Sequence, residues 1–352
     1  CSGGAALIYQ IAWMRPIGFV YESSIYLVAI VTTAFMLGLA VGGYYMRLDG
    51  LVDRLKRPIL TYALIEAAIG LYALILLELF TLLPAFNKKL LAMHDPSQYH
   101  LALFISIIAL LLIPTGLMGA TFPIAAKIWA QAHPARGVGE IYSVNNLGAI
   151  IGALAAGFIL VPHIGVRGTV FVAVGLNLFA AAIVLFSQYG LRYWRYALLA
   201  GGLAFALGAA SSYDVNHLYR GGMYGLSKQN YLGDAQILFE AEGRMASVTV
   251  IAFPSSSPNE APINRLFIDG QGSSSLRMTD IRTSVLLGYL PRWLNPQLDD
   301  AAVVGFGVGG ASRLLANGVK TTSIEIEPEV INAAPFFQVL NNGVVQDPNH
   351  HI

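Results

Sequence analysis

Val303-Val-Gly-Phe-Gly-Val-Gly-Gly310 joins a short apolar strand, residues 301–304, to a predicted helix over residues 309–317. Gly318 is the expected C-terminal cap of that helix. A second short strand follows over residues 322–326. Strand, glycine-rich turn, helix and strand in this order predict the start of a doubly wound α/β sheet.

The glycines of this turn and one acidic residue have the spacing of a nucleotide-binding site. Gly305, Gly307 and Gly309 allow a tight turn and a close approach of the backbone to a ligand. Glu325, at the end of the second strand, can accept hydrogen bonds from both hydroxyls of a ribose. The spacing fits NAD and S-adenosylmethionine-type ligands equally, and a glycine-rich turn that binds nothing is the alternative.

The residues before this turn predict a β-hairpin and a helix. Residues 246–252 and 265–270 have the β-branched and aromatic composition of strands, and a loop rich in proline and serine connects them. Residues 279–294 carry apolar side chains at helical spacing.

The composition of the whole chain indicates a membrane protein. Of its 352 residues 56% are hydrophobic and only 12% charged, whereas soluble domains carry about 25% charged residues. This excludes an ordinary cytosolic enzyme. A net charge of +1 without a basic run predicts no nucleic-acid partner. A single cysteine excludes internal disulfides and cysteine-based zinc sites, and we expect no metal.

Seven apolar stretches reach the roughly 20 residues that a helix needs to cross a bilayer. They are residues 1–20, 26–46, 59–83, 100–120, 141–162, 168–188 and 195–212. We therefore expect a multi-span α-helical membrane domain (about seven spans), a small β-hairpin region, and the first half of a Rossmann-like α/β domain of the methyltransferase type. The predicted domains are residues 1–213, 214–275 and 276–352.

The basic residues of the predicted loops suggest an orientation. The loops after the second, fourth and sixth spans hold eight Lys and Arg residues, and the loops after the first, third and fifth hold four. Positive loops stay in the cytoplasm, so this bias places the C-terminal domain outside a plasma membrane.

Two glycine pairs and one proline predict how the spans pack. Gly38 and Gly42, and likewise Gly148 and Gly152, have the small-xxx-small spacing of close helix crossings in lipid. We expect the fourth span to kink or end near Pro123.

Three charged residues within spans are candidates for a polar function. Glu66 and Glu78 lie in the third span, and Arg15 lies near the end of the first. A buried Arg15–Glu66 ion pair that fixes packing, a path for a proton or polar substrate, and an Arg15 side chain that reaches the interface are the alternatives.

The two ends of the sequence carry weaker signals. Cys1-Ser-Gly-Gly4 resembles the start of a mature bacterial lipoprotein, and a truncation point is the alternative. We interpret His350-His351 as a solvated tail rather than a metal pair.

Several of these motifs together resemble a known family, the spermidine synthases. The similar segments are Gly305-Phe-Gly-Val-Gly-Gly310, Ser323-Ile-Glu-Ile-Glu-Pro-Glu-Val330, Asn341, Asp347-Pro348, Gly243-Arg-Met-Ala-Ser-Val-Thr-Val250 and Leu287-Gly-Tyr-Leu-Pro291. The whole chain resembles bacterial proteins that fuse a multi-span membrane region to such a domain, with Met118-Gly-Ala-Thr-Phe-Pro123 among the matching membrane segments.

The resemblance implies transfer of an aminopropyl group from decarboxylated S-adenosylmethionine, or use of a related nucleoside, at an inner (plasma) membrane. It implies that Gly305, Gly307 and Gly309 lie against this cofactor and that Glu325 holds its ribose. Glu327 would be structural. The family's catalytic aspartate would fall beyond Ile352, so no catalytic residue is assigned.

The sequence departs from the family where the amine would bind. Val308 replaces an aspartate of the glycine turn, and the family's His-Glu region reads Thr279-Asp-Ile-Arg-Thr283. Two other functions therefore stay open. One is a non-catalytic subunit that binds partner subunits of a membrane complex, which an outside location favours. The other is a transporter for a polyamine-like cation that uses Glu66 and Glu78.

Overall fold

The computed structural model describes residues 1–21, 25–90, 95–132, 138–190, 194–211, 213, 235–255 and 261–352. The chain divides into two compact units, Cys1–Gly221 and Gly222–Ile352. The first unit is helical in its described residues, and the second holds two small sheets.

The first unit contains helices of very different length. They are α1 (Ser2–Tyr21), α2 (Ile25–Arg47), α3 (Leu51–Arg54), α4 (Pro58–Thr81), α5 (Leu83–Leu90), α6 (Pro96–Ala132), α7 (Val138–Ala155), α8 (Val161–Tyr189) and α9 (Trp194–Ala210). A short π-helical segment, Ala156–Leu160, joins α7 to α8 without a loop.

Four helical segments of the described chain are long and apolar enough to cross a membrane. They are Tyr26–Arg47, Pro58–Thr81, Gln98–Gln131 and Val138–Tyr189. A region with several membrane-length helices is therefore confirmed, but the predicted count of seven separate spans is not shown. The two spans predicted at residues 141–162 and 168–188 lie in one 52-residue helical segment.

The break in that segment is at Gly165 rather than in a loop. Its φ of 67° and ψ of 177° interrupt the helical backbone between the two predicted spans. Only glycine adopts this conformation at low cost, so the turn of the chain depends on this residue. By contrast, α6 continues through Pro114 and Pro123 to Ala132, so of the kink or end expected near Pro123 the end is not found.

Glycines lie where the helices of the first unit cross most closely. A Cβ atom added to Gly38 would overlap the Thr115 side chain, and one added to Gly42 would overlap the backbone of Gly116. On α7, a Cβ atom at Gly152 would overlap the backbone of Gly4. The α2–α6 and α1–α7 crossings thus have the close approach that small-xxx-small spacing allows.

The second unit begins with a four-stranded antiparallel sheet. Its strands follow the chain in order: β1 (Gln236–Glu242), β2 (Ser247–Phe253), β3 (Ile263–Ile268) and β4 (Gln271–Ser275). The predicted hairpin is the β2–β3 pair. The two outer strands were not predicted, and β4 has no apolar residue that could reveal it.

A parallel sheet with its connecting helices follows. The elements are α10 (Met278–Leu294), β5 (Asp300–Val304), α11 (Gly310–Ala316), β6 (Lys320–Ile324), α12 (Pro328–Asn332), α13 (Gln338–Asn341) and β7 (His350–His351). The strand order is β5-β6-β7, and both pairs are parallel. The predicted strand–turn–helix–strand order is thus present.

One hydrophobic core joins the antiparallel sheet to the glycine turn and to the helices that follow it. Val248, Val250 and Leu266 of the antiparallel sheet belong to the same buried cluster as Phe306 and Val330. The boundary predicted at residues 275/276 therefore does not separate two cores. The boundary predicted at 213/214 adjoins residues outside the described ranges.

Candidate functional site

The glycine turn and Glu325 lie side by side at one edge of the parallel sheet. Val304 pairs with Ile324 at the carboxyl ends of β5 and β6, and the Gly305 N–H donates to the Ile324 carbonyl at 2.9 Å. Both strands therefore end at the same level. Ligands of open α/β sheets bind at this edge.

The turn needs its glycines for different reasons. Gly305, Gly307 and Gly309 have φ values of 84°, 57° and 78°, in the left-handed region that favours glycine. A Cβ atom at Gly309 would also approach the Phe306 ring to 2.5 Å. The space that a Cβ atom of Gly305 would occupy is open, with no neighbouring atom within 4 Å. A ligand can therefore approach the backbone at this residue.

The Glu325 carboxylate is held against the turn by backbone amides. Its Oε2 accepts a hydrogen bond from the Phe306 N–H at 2.8 Å. Its Oε1 accepts from the N–H groups of Ile326 and Glu327 at 2.9 and 3.1 Å. A carboxylate has about four acceptor positions, so Oε2 keeps one position for a further donor. The side chain is half-buried, which leaves this position within reach of a ligand.

Asn341 fixes the other side of the turn. It is buried, and its Nδ2 donates to the Val308 carbonyl at 3.2 Å and to the Ala334 carbonyl at 2.9 Å. The Val308 side chain points into the hydrophobic core. At position 308, therefore, a ligand beside the turn could contact the backbone and not the side chain. Asn341 holds this backbone in place through its hydrogen bond to the Val308 carbonyl.

Glu327 has a structural position, as the family resemblance implies. It is 3% exposed, and its Oε2 accepts from the N–H groups of Met245 and Ala246 at 2.9 and 3.0 Å. Its Oε1 accepts from the Glu329 N–H at the start of α12. One carboxylate therefore joins the β1–β2 turn to the helix after β6.

The segment Thr279-Asp-Ile-Arg-Thr283 contains one well-held carboxylate. Asp280 Oδ2 accepts a hydrogen bond from Ser275 Oγ at 2.5 Å, and Asp280 Oδ1 accepts from Thr279 Oγ1 at 3.3 Å. The neighbouring Ser274 Oγ is the side-chain atom nearest to where a Cβ atom of Gly307 would lie. Ser274 thus presents a hydroxyl group to the turn, and the next residue in sequence, Ser275, holds Asp280.

His350 is not part of a solvated tail, and that prediction is wrong. It is 5% exposed, and its Nε2 lies 2.7 Å from Ser323 Oγ, which lies 2.8 Å from Ser312 Oγ. The three side chains form a buried polar chain between α11, β6 and β7. His351 remains exposed. Among the described residues, no group of three His, Cys, Asp or Glu side chains could hold a metal ion.

Burial of His350 makes the stability of the second unit depend on pH. Burial lowers the pKa of its imidazole below the ordinary value of 6.5, against the opposing charge of Asp347. The folded state therefore binds fewer protons than the unfolded state as the pH falls below about 6.5, and stability falls with it. We expect the protection factors of the β6 amides, which compare their exchange with that of an unstructured chain at the same pH, to fall between pH 7 and pH 5.

Two histidine variants test this pH dependence. His350→Gln should make the stability of the second unit less dependent on pH, because it removes the buried titrating group. His351→Gln, which changes the exposed neighbour, should retain it. An equally steep dependence in His350→Gln would show that another group is responsible.

Glu66 in the membrane-length helix α4 is held by a neutral partner. It is fully buried, and its Oε2 accepts a hydrogen bond from Asn177 Nδ2 of α8 at 2.5 Å. Asn177 Oδ1 in turn accepts from the Tyr9 hydroxyl at 2.9 Å, and Tyr62 also lies beside the carboxyl group. The predicted ion pair with Arg15 is thus replaced by a network of amide and phenol groups.

Glu78 lies on a different side of α4 and has a separate partner. Its Oε1 accepts a hydrogen bond from Ser211 Oγ, just after α9, at 2.5 Å. Glu66 and Glu78 therefore do not share a site in the described part of the chain. Sequence reasoning missed Asn177, since a single polar residue in an apolar helix gives no sign of its partner.

The comparisons with known proteins include a partial structural likeness. No protein-family model and no curated protein matches the chain. A crystal structure of spermidine synthase in complex with the transition-state analogue AdoDATO is similar, with a TM-score of 0.29 and 18% sequence identity. The likeness covers 33% of this chain and 40% of the spermidine synthase chain, so this chain spans less than half of that protein.

Proposed function

We propose that the second unit binds a nucleoside ligand of the S-adenosyl type and that the first unit anchors it in a bilayer. The observation that carries the proposal is the Glu325 carboxylate, fixed by the Phe306 N–H at the edge of the glycine turn. A ribose needs a fixed acceptor for its hydroxyls, and the remaining acceptor position of Oε2 provides one. The open space in front of Gly305 leaves room for the ligand.

The reaction class that fits this proposal is aminopropyl transfer from decarboxylated S-adenosylmethionine to an amine. The amine nitrogen would attack the carbon next to the sulfonium, the carbon–sulfur bond would break, and methylthioadenosine would leave. A carboxylate would take the amine's proton. Gly305, Gly307, Gly309 and Glu325 would hold the nucleoside, and the residue that takes the proton is not assigned.

The second candidate function is that of a non-catalytic subunit in a membrane complex. The observation that favours it is the position of Val308, whose side chain is buried in the core. The turn therefore offers no acid to the amino group of a cofactor. A third candidate, transport of a polyamine-like cation, depends on the fully buried Glu66.

The location of the second unit follows from the number of membrane crossings. If the break at Gly165 separates two crossings and α1 and α9 also cross, the chain crosses seven times. The basic loops then place the second unit outside the plasma membrane. Aminopropyl transfer needs a cytoplasmic location and hence an even number of crossings, whereas the subunit function is compatible with either.

Calorimetric binding of S-adenosyl analogues to the full chain tests the proposal. Glu325→Ala removes a charged acceptor worth roughly 1.5–3 kcal/mol per hydrogen bond, so we expect binding at least about 10-fold weaker. Glu329→Ala is the control, since within the described residues this nearby carboxylate accepts a hydrogen bond from the Asn332 side chain alone and lies in the first turn of α12. It should bind like the wild type.

Two results would contradict the assignment. One is equal affinity of the wild type and Glu325→Ala. The other is absence of binding by a folded wild-type chain, which would leave the subunit function as the better explanation. Hydrogen exchange of the β6 amides shows whether each variant keeps its fold.

A further inference from the structure

A cavity of about 430 Å³ lies between α4, α8 and α9 of the first unit. Its described walls are aliphatic, with Leu60 and Leu64 from α4, Ala182 from α8 and Ala200 from α9. The volume lies within the roughly 300–1,000 Å³ of ordinary ligand cavities. Such walls accept a hydrocarbon chain.

Among the described residues that line this cavity, one is cationic. Arg57, the residue before the first turn of α4, is the charged residue among its described lining. The side chain is exposed and makes no ion pair with any residue that the structure describes. Because α4 is long and apolar enough to cross a membrane from Pro58 onwards, Arg57 lies where lipid headgroups are found.

A second cavity of the first unit lacks this combination of aliphatic walls and a cationic side chain. About 470 Å³ in size, it is lined by residues of α1, α4, α5 and α6, among them Ile17, Tyr72 and Phe86. Its described lining contains no Lys or Arg. Both cavities can hold an apolar chain, but only the first offers a counter-charge to a phosphate.

We propose that the cavity between α4, α8 and α9 binds one anionic phospholipid, with an acyl chain against the aliphatic walls and the phosphate on Arg57. The inference rests on the membrane anchoring proposed above. Basic positions between membrane helices bind anionic headgroups in this way, and each Lys or Arg near the surface favours an anionic lipid by about fivefold. A zwitterionic lipid has acyl chains that fit the aliphatic walls equally well, but its headgroup lacks the net negative charge that Arg57 attracts.

Native mass spectrometry of the full chain in a non-ionic detergent tests this site. The probes are phosphatidylglycerol and phosphatidylcholine with the same acyl chains. We expect the wild type to retain phosphatidylglycerol about fivefold more than phosphatidylcholine. Arg57→Gln should abolish this preference, and Arg57→Lys should keep it.

Two further variants separate the site from general charge effects. Arg54→Gln removes an exposed arginine of the same segment that does not line the cavity, and it should leave the preference unchanged. Ala182→Leu fills the cavity and should reduce retention of both lipids. Equal retention of the two lipids by the wild type, an equal effect of Arg54→Gln, or full retention by Ala182→Leu would each overturn the proposal.

The same preparations distinguish this site from the nucleoside site. Arg57→Gln should leave binding of S-adenosyl analogues unchanged, since Arg57 belongs to the first unit. Loss of lipid preference with intact nucleoside binding supports the lipid site alone. A wild type that binds nucleoside and shows no lipid preference overturns the lipid site and leaves the proposed function intact.

Discussion

Glu327→Ala is expected to destabilise the second unit by roughly 2–4 kcal/mol, because it leaves buried N–H groups without an acceptor. The carboxylate accepts from Met245, Ala246 and Glu329, and its side chain is 3% exposed. Water cannot readily replace it at that depth. Faster hydrogen exchange at the β1–β2 turn and at the start of α12, in the full chain, is the measurement.

The neighbouring Glu329 provides the matched control for this variant. It is half-buried and accepts a hydrogen bond from the Asn332 side chain one turn along α12. Glu329→Ala should change stability by less than about 1 kcal/mol. If both variants accelerated hydrogen exchange at the β1–β2 turn equally, the hydrogen bonds of Glu327 would not be what stabilises this turn.

Gly42→Ala is expected to destabilise the first unit by roughly 1–3 kcal/mol, the cost of overpacking. The added Cβ atom would overlap the backbone of Gly116, which cannot rotate away as a side chain can. The α2–α6 crossing would have to widen. Thermal unfolding of the full chain in detergent, followed by the loss of helical signal, measures the effect.

Gly43→Ala is the control on the same helix. Its added Cβ atom would lie 3.6 Å from the Gly119 carbonyl oxygen, an ordinary contact. Alanine favours a helix over glycine by about 1 kcal/mol at either position. Gly43→Ala should therefore be neutral or stabilising, and a similar loss in both variants would show that the crossing is not as close as described.

The position of the glycine turn beside Glu325 could be predicted because the two are close in sequence. Gly305 and Glu325 end two strands that pair directly, so their spacing alone places them together. Asn341 could not be assigned a role in the same way. Its hydrogen bond to Val308 joins residues 33 positions apart, and that contact exists only after α13 has packed on the turn.

The errors in the helical unit have a common physical cause. Pro123 and Gly165 both interrupt helices by local preference, but the packed neighbours decide which one does so. α6 continues through its prolines, whereas the backbone breaks at Gly165. The partner of Glu66 was mistaken for a similar reason, since Asn177 lies 111 residues away in the chain.

The shared core of the second unit has a consequence for the protein during its synthesis. β2, whose side chains are almost entirely buried, packs with Val330, Phe337 and Val344 in the finished fold. These partners leave the ribosome about 80–95 residues later, a delay of roughly 4–20 s at ordinary rates of synthesis. During that interval Ser247-Val-Thr-Val-Ile-Ala-Phe253 is an uncovered β-branched segment of the kind that aggregates. The nascent chain is therefore expected to need a chaperone at this stage.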